Sequence, residues 1–316
     1  MVDLICCGAI NWDINLFVDR LPRTGEEVPV REIERVSGGT AANVAVSASR
    51  ILGNQRVAFI GALGEDAIAE EQISILRDEG VDFSGILIIP DEESGQAYIA
   101  IDSEGANEIH TYFGANLALK QDHMRDRERL ELIKQSKYCV IMDPPLEAAE
   151  ALASTCRKYG VKVIWDPGVY AEEELGNLLP ILKNTDYFIL NQLEYENLLG
   201  TSDPREVIQL LEKRVKGIAA IIKRGAEGST LINGSGTTVT IEAVPLEKLG
   251  MNVVNTVGCG DAFIGGFSAS KVREMDDIEA LRNANAAGGF KATRKETRGG
   301  PDREQLKDML ERWKRL

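Results

Sequence analysis

The chain has 316 residues, 44% of them apolar and 27% charged, with a formal charge of −14 at pH 7. Those proportions belong to a soluble globular protein of one large domain with an appendage, or of two domains. The negative balance excludes a nucleic-acid partner, which would need clustered Lys and Arg, and no apolar run approaches the length of a membrane span.

The start, Met1-Val2-Asp3-Leu4-Ile5, lacks a basic region and runs straight into strand-like sequence, so no signal peptide is expected and a cytoplasmic location is. Cys6, Cys7, Cys139, Cys156 and Cys259 form no C-x-x-C pair, and the first three lie in apolar runs. Buried reduced thiols are expected. Two histidines, His110 and His123, are too few for a histidine metal site or triad.

Leu4 to Ile10 reads as a strand, ended by Gly8-Ala9-Ile10-Asn11-Trp12-Asp13. Asn11 and Asp13 share a strand-period face at a carboxyl edge, where they suit vicinal hydroxyls or serve as solvated turn residues. Ile14 to Val36 alternates short apolar and polar runs around Pro22-Arg23-Thr24-Gly25. Next, Gly38-Gly39-Thr40-Ala41-Ala42-Asn43 opens a helix whose apolar face continues through Val44, Ala45, Ala48, Ile51 and Leu52. The paired glycines allow a ligand close to backbone, and Asn43 offers donor and acceptor to a sugar hydroxyl; a plain helix entry is the other reading. After the strand Val57 to Gly61, Asp66 reads as the cap of a helix beginning near Ala67.

Asp91 to Ala115 again alternates, around Ser103-Glu104-Gly105. With Ile14 to Val36 it predicts a small antiparallel sheet outside the main one, able to close over a site as a lid or to serve as an edge extension or dimer patch. The expected division is a core of 1–13, 37–90 and 116–316 and a lid of 14–36 and 91–115. Within the core, Tyr138 to Met142, Val161 to Trp165, Tyr187 to Leu190 and Ile218 to Ile222 are strand-like, with helical patterns between, such as Val207, Leu210, Leu211 and Val215. Such alternation predicts an α/β fold with a mainly parallel sheet covered on both faces and ligands beyond its carboxyl ends.

Asn191 and Glu194 follow a strand three residues apart, as Mg²⁺-organising oxygen donors or as an N-cap with its capping-box partner. Lys223-Arg224-Gly225-Ala226-Glu227-Gly228 ends another strand with cations and permissive glycines, suited to nucleotide phosphates or to a solvated basic turn. The most informative stretch is Asn255-Thr256-Val257-Gly258-Cys259-Gly260-Asp261-Ala262-Phe263, a glycine-rich turn before the apolar run Ala262 to Val272. A turn that opens a helix points unpaired N–H groups at one spot favourable to anions, and Asp261 stands beside them as a candidate base or as a dipole complement. Phe263 replaces the third glycine of a dinucleotide fingerprint, and no Gly-Lys-Ser/Thr of a P-loop occurs.

Taken in order, these motifs resemble the ribokinase-like (PfkB) carbohydrate and nucleoside kinase family, end to end, including Asn283 to Gly288 and Thr297-Arg298-Gly299-Gly300-Pro301. The resemblance implies a three-layer ribokinase-like core with a β-sheet lid and a homodimer through that lid. It implies Asp261 as catalytic base and the backbone of Gly258, Cys259 and Gly260 as anion hole. Asp13, Gly39 and Asn43, with Asn11 as neighbour, correspond to sugar ligands. Asn191 and Glu194 correspond to the motif that organises Mg²⁺ around the nucleotide. Gly225 and Gly228, next to Lys223, correspond to the nucleotide loop, and Asn285 flanks the purine pocket.

Four positions depart from the family pattern. Cys259 replaces a small residue and sets a thiol beside the anion hole, where exposure would make it oxidation-sensitive. Asn255 replaces the Asp that in ribokinases helps hold a monovalent cation, which argues against potassium activation. Lys223 or Arg224 replaces a hydroxyl residue, leaving ADP open beside ATP as donor. Thr40 replaces a Lys, which argues against a strict ribokinase. The expected activity is phosphorylation of a pentose-type sugar. A nucleoside held by Trp12, Tyr98, Tyr112 and Phe113, a sugar phosphate held by Arg31 or Arg35, and a non-catalytic sensor are the alternatives.

Overall fold

The computed structural model describes residues 1–316. In chain order the strands are β1 (Leu4–Gly8), β2 (Asn11–Val18), β3 (Val30–Gly38), β4 (Val57–Gly64), β5 (Asp82–Ile89), β6 (Gly95–Ile101), β7 (Asn107–Tyr112), β8 (Tyr138–Met142), β9 (Lys162–Asp166), β10 (Tyr187–Asn191), β11 (Ala219–Lys223), β12 (Ser229–Asn233) and β13 (Thr238–Ile241). The helices are α1 (Thr40–Leu52), α2 (Ala67–Asp78), α3 (Arg127–Gln135), α4 (Leu146–Tyr159), α5 (Leu175–Leu182), α6 (Gln192–Leu199), α7 (Pro204–Glu212), α8 (Cys259–Val272), α9 (Asp277–Ala292) and α10 (Arg303–Lys314).

Nine strands form one sheet in the order β13-β12-β11-β10-β9-β8-β1-β4-β5. Every neighbouring pair from β5 to β11 is parallel, and only the pairs β11–β12 and β12–β13 are antiparallel, so β12 alone runs against the rest. The inner strands are apolar on both faces because both faces are covered. In β1, Leu4 and Cys6 join the core under α1, α8 and α9, while Ile5 and Cys7 join the core under α4, α5 and α7. Three layers result, and each fully buried Leu or Ile in them contributes about 1.5–3 kcal/mol of hydrophobic stabilisation. The sequence pattern did not single out β12 and the edge strand β13, whose apolar residues are broken by Ser, Thr and Asn, nor the other edge strand, β5, although it carries the apolar run Ile86 to Ile89.

Strand order reverses beside β1, which lies between β4 and β8. At such a switch point the loops at the carboxyl ends diverge and leave a crevice. The ends of β8, β9, β10 and β11 carry Asp143, Asp166, Asn191 and Lys223 into it; Met142 pairs with Asp166, and Asn191 with Lys223.

The second sheet has the order β3-β2-β6-β7. Two features differ from expectation. β2 and β6 are parallel, because β6 arrives after a passage through the core rather than by a hairpin. The ladder also starts earlier, with Asn11 opposite Gly38, so Asn11 and Asp13 stand on the small sheet instead of ending β1. Alternation puts Asp13, Ala97 and Thr111 on one face and Trp12, Gln96 and Tyr112 on the other. No helix is long and apolar enough to cross a membrane.

Candidate active site

α8 begins at Cys259, with Gly258 as its N-cap at φ 83°. A Cβ on Gly258 would stand 2.4 Å from the carbonyl oxygen of Thr297, so both conformation and space require glycine. The N–H groups of Gly258, Gly260 and Asp261 have no backbone acceptor, whereas Cys259 N–H donates to Thr256 O at 3.1 Å. The free donors at this helix start are therefore those of Gly258, Gly260 and Asp261, and the Cys259 N–H is committed to the turn. The Cys259 thiol is half-buried, and its pKa is raised by burial, with Lys291 opposing and Asp261 adding. That is the reverse of an oxidation-sensitive thiolate.

Asp261 is oriented by residues far away in sequence. Asn43 Nδ2 donates to Asp261 Oδ2 at 2.8 Å, and Arg298 Nε donates to Asn43 Oδ1 at 2.8 Å. The amide of Asn43 is thus fixed in one orientation. Asp261 Oδ1 is left with no protein donor. Burial pushes the Asp261 pKa up to about 6, opposed by the Asn43 hydrogen bond and the Lys223 charge.

A group of acids gathers on the same side. Asp13 is 7% exposed and packs against Gly38, where any Cβ would meet its carboxylate at 2.1 Å. Burial raises its pKa to about 7, against the pull of Arg298 and with the push of Asp261. Asn11 is held by Asn116, which reaches Asn11 Oδ1 at 2.9 Å and Ile10 O at 3.2 Å and accepts from Ile10 N at 3.0 Å. Asp143 adopts a left-handed φ of 58°, uncommon for a residue with a side chain. It is secured by Thr40 Oγ1 at 2.6 Å and Val169 N at 2.8 Å, and burial raises its pKa to about 6. Arg298 Nη2 donates to Gly38 O at 2.9 Å, while its Nη1 has no protein acceptor.

On the other side of α8 lies a cavity of about 520 Å³, lined by Lys223, Gly225, Gly228, Cys259, Gly260 and Asn285 among largely apolar residues. Six expected residues from three distant segments meet there. Lys223 Nζ is 2.6 Å from Asp166 Oδ2. Burial alone would lower its pKa, but Asp166 and Glu194 raise it, so it carries its charge. Asn285 has a structural task as well: it accepts from Ser229 Oγ and donates to Ile241 O and Glu242 O, tying α9 to β12 and β13. A larger hollow of about 650 Å³ between α9 and α10 takes Asn283 from the Asn283 to Gly288 stretch but none of the expected catalytic, sugar or nucleotide residues.

Asn191 and Glu194 form a capping box on α6: Asn191 Oδ1 accepts from Glu194 N at 2.9 Å, and Glu194 Oε2 from Asn191 N at 2.7 Å. Glu194 Oε1 stays uncommitted. No group of three or more His, Cys, Asp or Glu side chains has metal-ligand geometry. These donors suit an ion that keeps its waters and takes phosphate oxygens, as Mg²⁺ commonly does, rather than one caged by protein.

The sequence reading missed Asp143, Asp166 and Asn116 and left Arg298 without a role. Asp143 and Asp166 had a usable signal, since both close apolar strands. Arg298 and Asn116 had none, because their partners lie 255 and 105 residues away.

The chain is 28% identical to the ATP-dependent ribose-1-phosphate kinase of Halopiger xanaduensis and 29% identical to the ribokinase of Haemophilus influenzae, each alignment covering 98% of both chains. Its fold matches that of Arabidopsis thaliana ribokinase complexed with ribose and ATP, with a TM-score of 0.86 and 27% identity over 98% of this chain and 99% of that chain. The pfkB family carbohydrate kinase model matches residues 1–303, and the chain belongs to that family of phosphotransferases acting on a sugar hydroxyl.

Proposed function

We propose that the protein transfers the terminal phosphoryl group of Mg·ATP to a hydroxyl of a ribose-like sugar. The carrying observation is Asp261: in the first turn of α8, its Oδ2 held by Asn43 and its Oδ1 free, between the glycine-lined cavity and the carboxylates of Asp13 and Asp143. The sugar is gripped by Asp13, Asn11, Asn43, Asp143 and the backbone at Gly39. The nucleotide lies in the 520 Å³ cavity with its phosphates toward Lys223 and the start of α8.

Asp261 Oδ1 accepts the hydroxyl proton as the new oxygen–phosphorus bond forms and the bond to the β–γ bridging oxygen breaks, releasing ADP. With a pKa near 6, Asp261 is ionised at neutral pH yet basic enough to share that proton. The N–H groups of Gly258 and Gly260 stabilise charge on the transferred group. Asn191 and Glu194 are the residues that would hold Mg²⁺, which when bound would offset phosphate charge. The small sheet, closing from the Asp13 side, excludes water that would otherwise hydrolyse the donor.

A free sugar is favoured over the alternatives. Trp12, Tyr98 and Tyr112 lie on the sheet face opposite Asp13, so they offer no aromatic platform to a nucleoside at this site. Arg35 is exposed on that same opposite face and Arg31 is exposed and paired with Asp19, so neither reaches a sugar phosphate. That aromatic face, with Ile33 and Tyr98 nearly half exposed, is instead the surface for a homodimer. Tyr98→Lys with Tyr112→Lys should sediment as a monomer; an unchanged dimer refutes this contact.

The deciding experiment is a coupled assay of ribose, deoxyribose, hexoses, nucleosides and ribose 1-phosphate, each with ATP and with ADP. Turnover of a free pentose with ATP is expected. Turnover confined to nucleosides, sugar phosphates or ADP would replace this acceptor or donor, and ligand binding without turnover would make the protein a sensor.

A further inference from the structure

Lys291, near the end of α9, is 0% exposed yet pairs with no carboxylate. Its ammonium donates to the carbonyl oxygens of Asn255 at 2.8 Å and Arg294 at 3.4 Å. A buried ammonium whose hydrogen bonds go only to carbonyl oxygens is costly in a folded chain, and burial holds its pKa below the usual lysine value against the pull of Cys259, Glu296 and Asp261, which points to a specific use. Both carbonyls belong to loops that frame the catalytic turn: Asn255 opens the stretch ending at Asp261, and Arg294 opens the one that delivers Thr297 and Arg298. The other carbonyls around it are also taken. Asn255 Nδ2 donates to Lys295 O at 2.7 Å, and Ala292 O accepts from the N–H groups of Val254 and Asn255. Asn255 Oδ1 accepts from Val257 N at 2.9 Å.

A monovalent cation site needs a ring of free carbonyl or carboxylate oxygens. Here those oxygens are filled by protein donors, so a bound potassium ion does not fit. We infer that the Lys291 ammonium is a built-in replacement for a monovalent cation, pinning the 254–258 loop to the 294–298 loop and so positioning the anion-hole N–H groups of Gly258 and Gly260. Lys291 touches no reacting atom and acts as a positioning residue. The inference rests on the kinase reading for its catalytic consequence, but not for the cation replacement itself.

The test compares wild type, Lys291→Arg and Lys291→Ala in potassium chloride and in choline chloride at equal ionic strength, reading both rate and melting temperature. Wild-type kcat should be the same in both salts within about twofold, and potassium should not shift its melting temperature. In choline, Lys291→Ala should lose about tenfold or more in kcat while the acceptor KM changes by less than about twofold. Potassium or methylammonium should then restore part of kcat and raise the melting temperature of Lys291→Ala alone. Lys291→Arg should keep most of the activity without added cation. Wild-type activation by potassium, or a Lys291→Ala variant with full kcat or with no potassium response in rate or melting, overturns the inference. If Lys291→Ala does not fold, the wild-type salt comparison decides. The melting arm needs no turnover, so it separates failure of this inference from failure of the kinase reading.

Discussion

The two sides of α8 are built by different means. The donor side is a wall of backbone and small residues: Gly225, Gly228, Gly260, Gly288 and Gly289 leave space, and apolar neighbours fill the rest. The acceptor side is a cluster of ionisable side chains: Arg298 and Asp261 are joined through Asn43, Arg298 also holds the carbonyl of Gly38, against which Asp13 packs, and Asp143 is held by Thr40. A backbone wall suits a ligand common to a whole family, whereas a side-chain network can be re-cut for a new acceptor without disturbing the donor. Asp261 serves both sides, since it stands among the free N–H groups and belongs to the carboxylate group.

The largest effect should therefore come from Asp261. Asp261→Asn should lower kcat by about 10² to 10⁴, the range for a general base, with the melting temperature at pH 8 no lower than wild type because a buried charge has been removed. Retained turnover would refute the general-base role. Next comes the shared backbone. Gly258→Ala forces a Cβ against Thr297 O at 2.4 Å and should cost about 10² in kcat by displacing the anion-hole donors, with acceptor affinity nearly unchanged in direct binding.

Smaller changes should separate the two sides. Gly288 lines the donor cavity, and a Cβ there stands 3.1 Å from Cys259 O. Gly288→Val should raise KM for the nucleotide about tenfold while leaving the acceptor KM within about twofold. Equal effects on both constants would mean that the two sides are not independent.

The gentlest perturbation is pH, which acts on the acceptor side. The pKa values of Asp13, Asp143 and Asp261 are raised by burial to about 7, 6 and 6 from a usual value of 3.8. Folded protein thus binds these protons more tightly than unfolded chain, and the stability they contribute is full below about pH 4 and lost as pH rises through 6 to 7. Activity runs the other way, because Asp261 must be ionised to accept a proton. The acid limb of kcat/KM should fall near pH 6, while the melting temperature of the free protein drops between pH 4 and 7 on account of these groups. An acid limb near pH 4 would show that Asp261 is not held as described.

Much of this organisation was legible without coordinates because it is local. Apolar runs alternating with helical periods already require a covered parallel sheet, and a polar residue after each run already marks a carboxyl edge. The turn at Gly258 to Asp261 is visible because backbone N–H groups at a helix start need only neighbouring residues to create an anion site. What tertiary structure alone decided is which side chains meet. It set Arg298 on Asn43, gave Asp143 its left-handed backbone, turned Trp12 and Tyr98 away from Asp13, and sealed Lys291 among carbonyls. Hydrogen-bond partners are chosen by distance in space, and no periodicity along the chain carries that information.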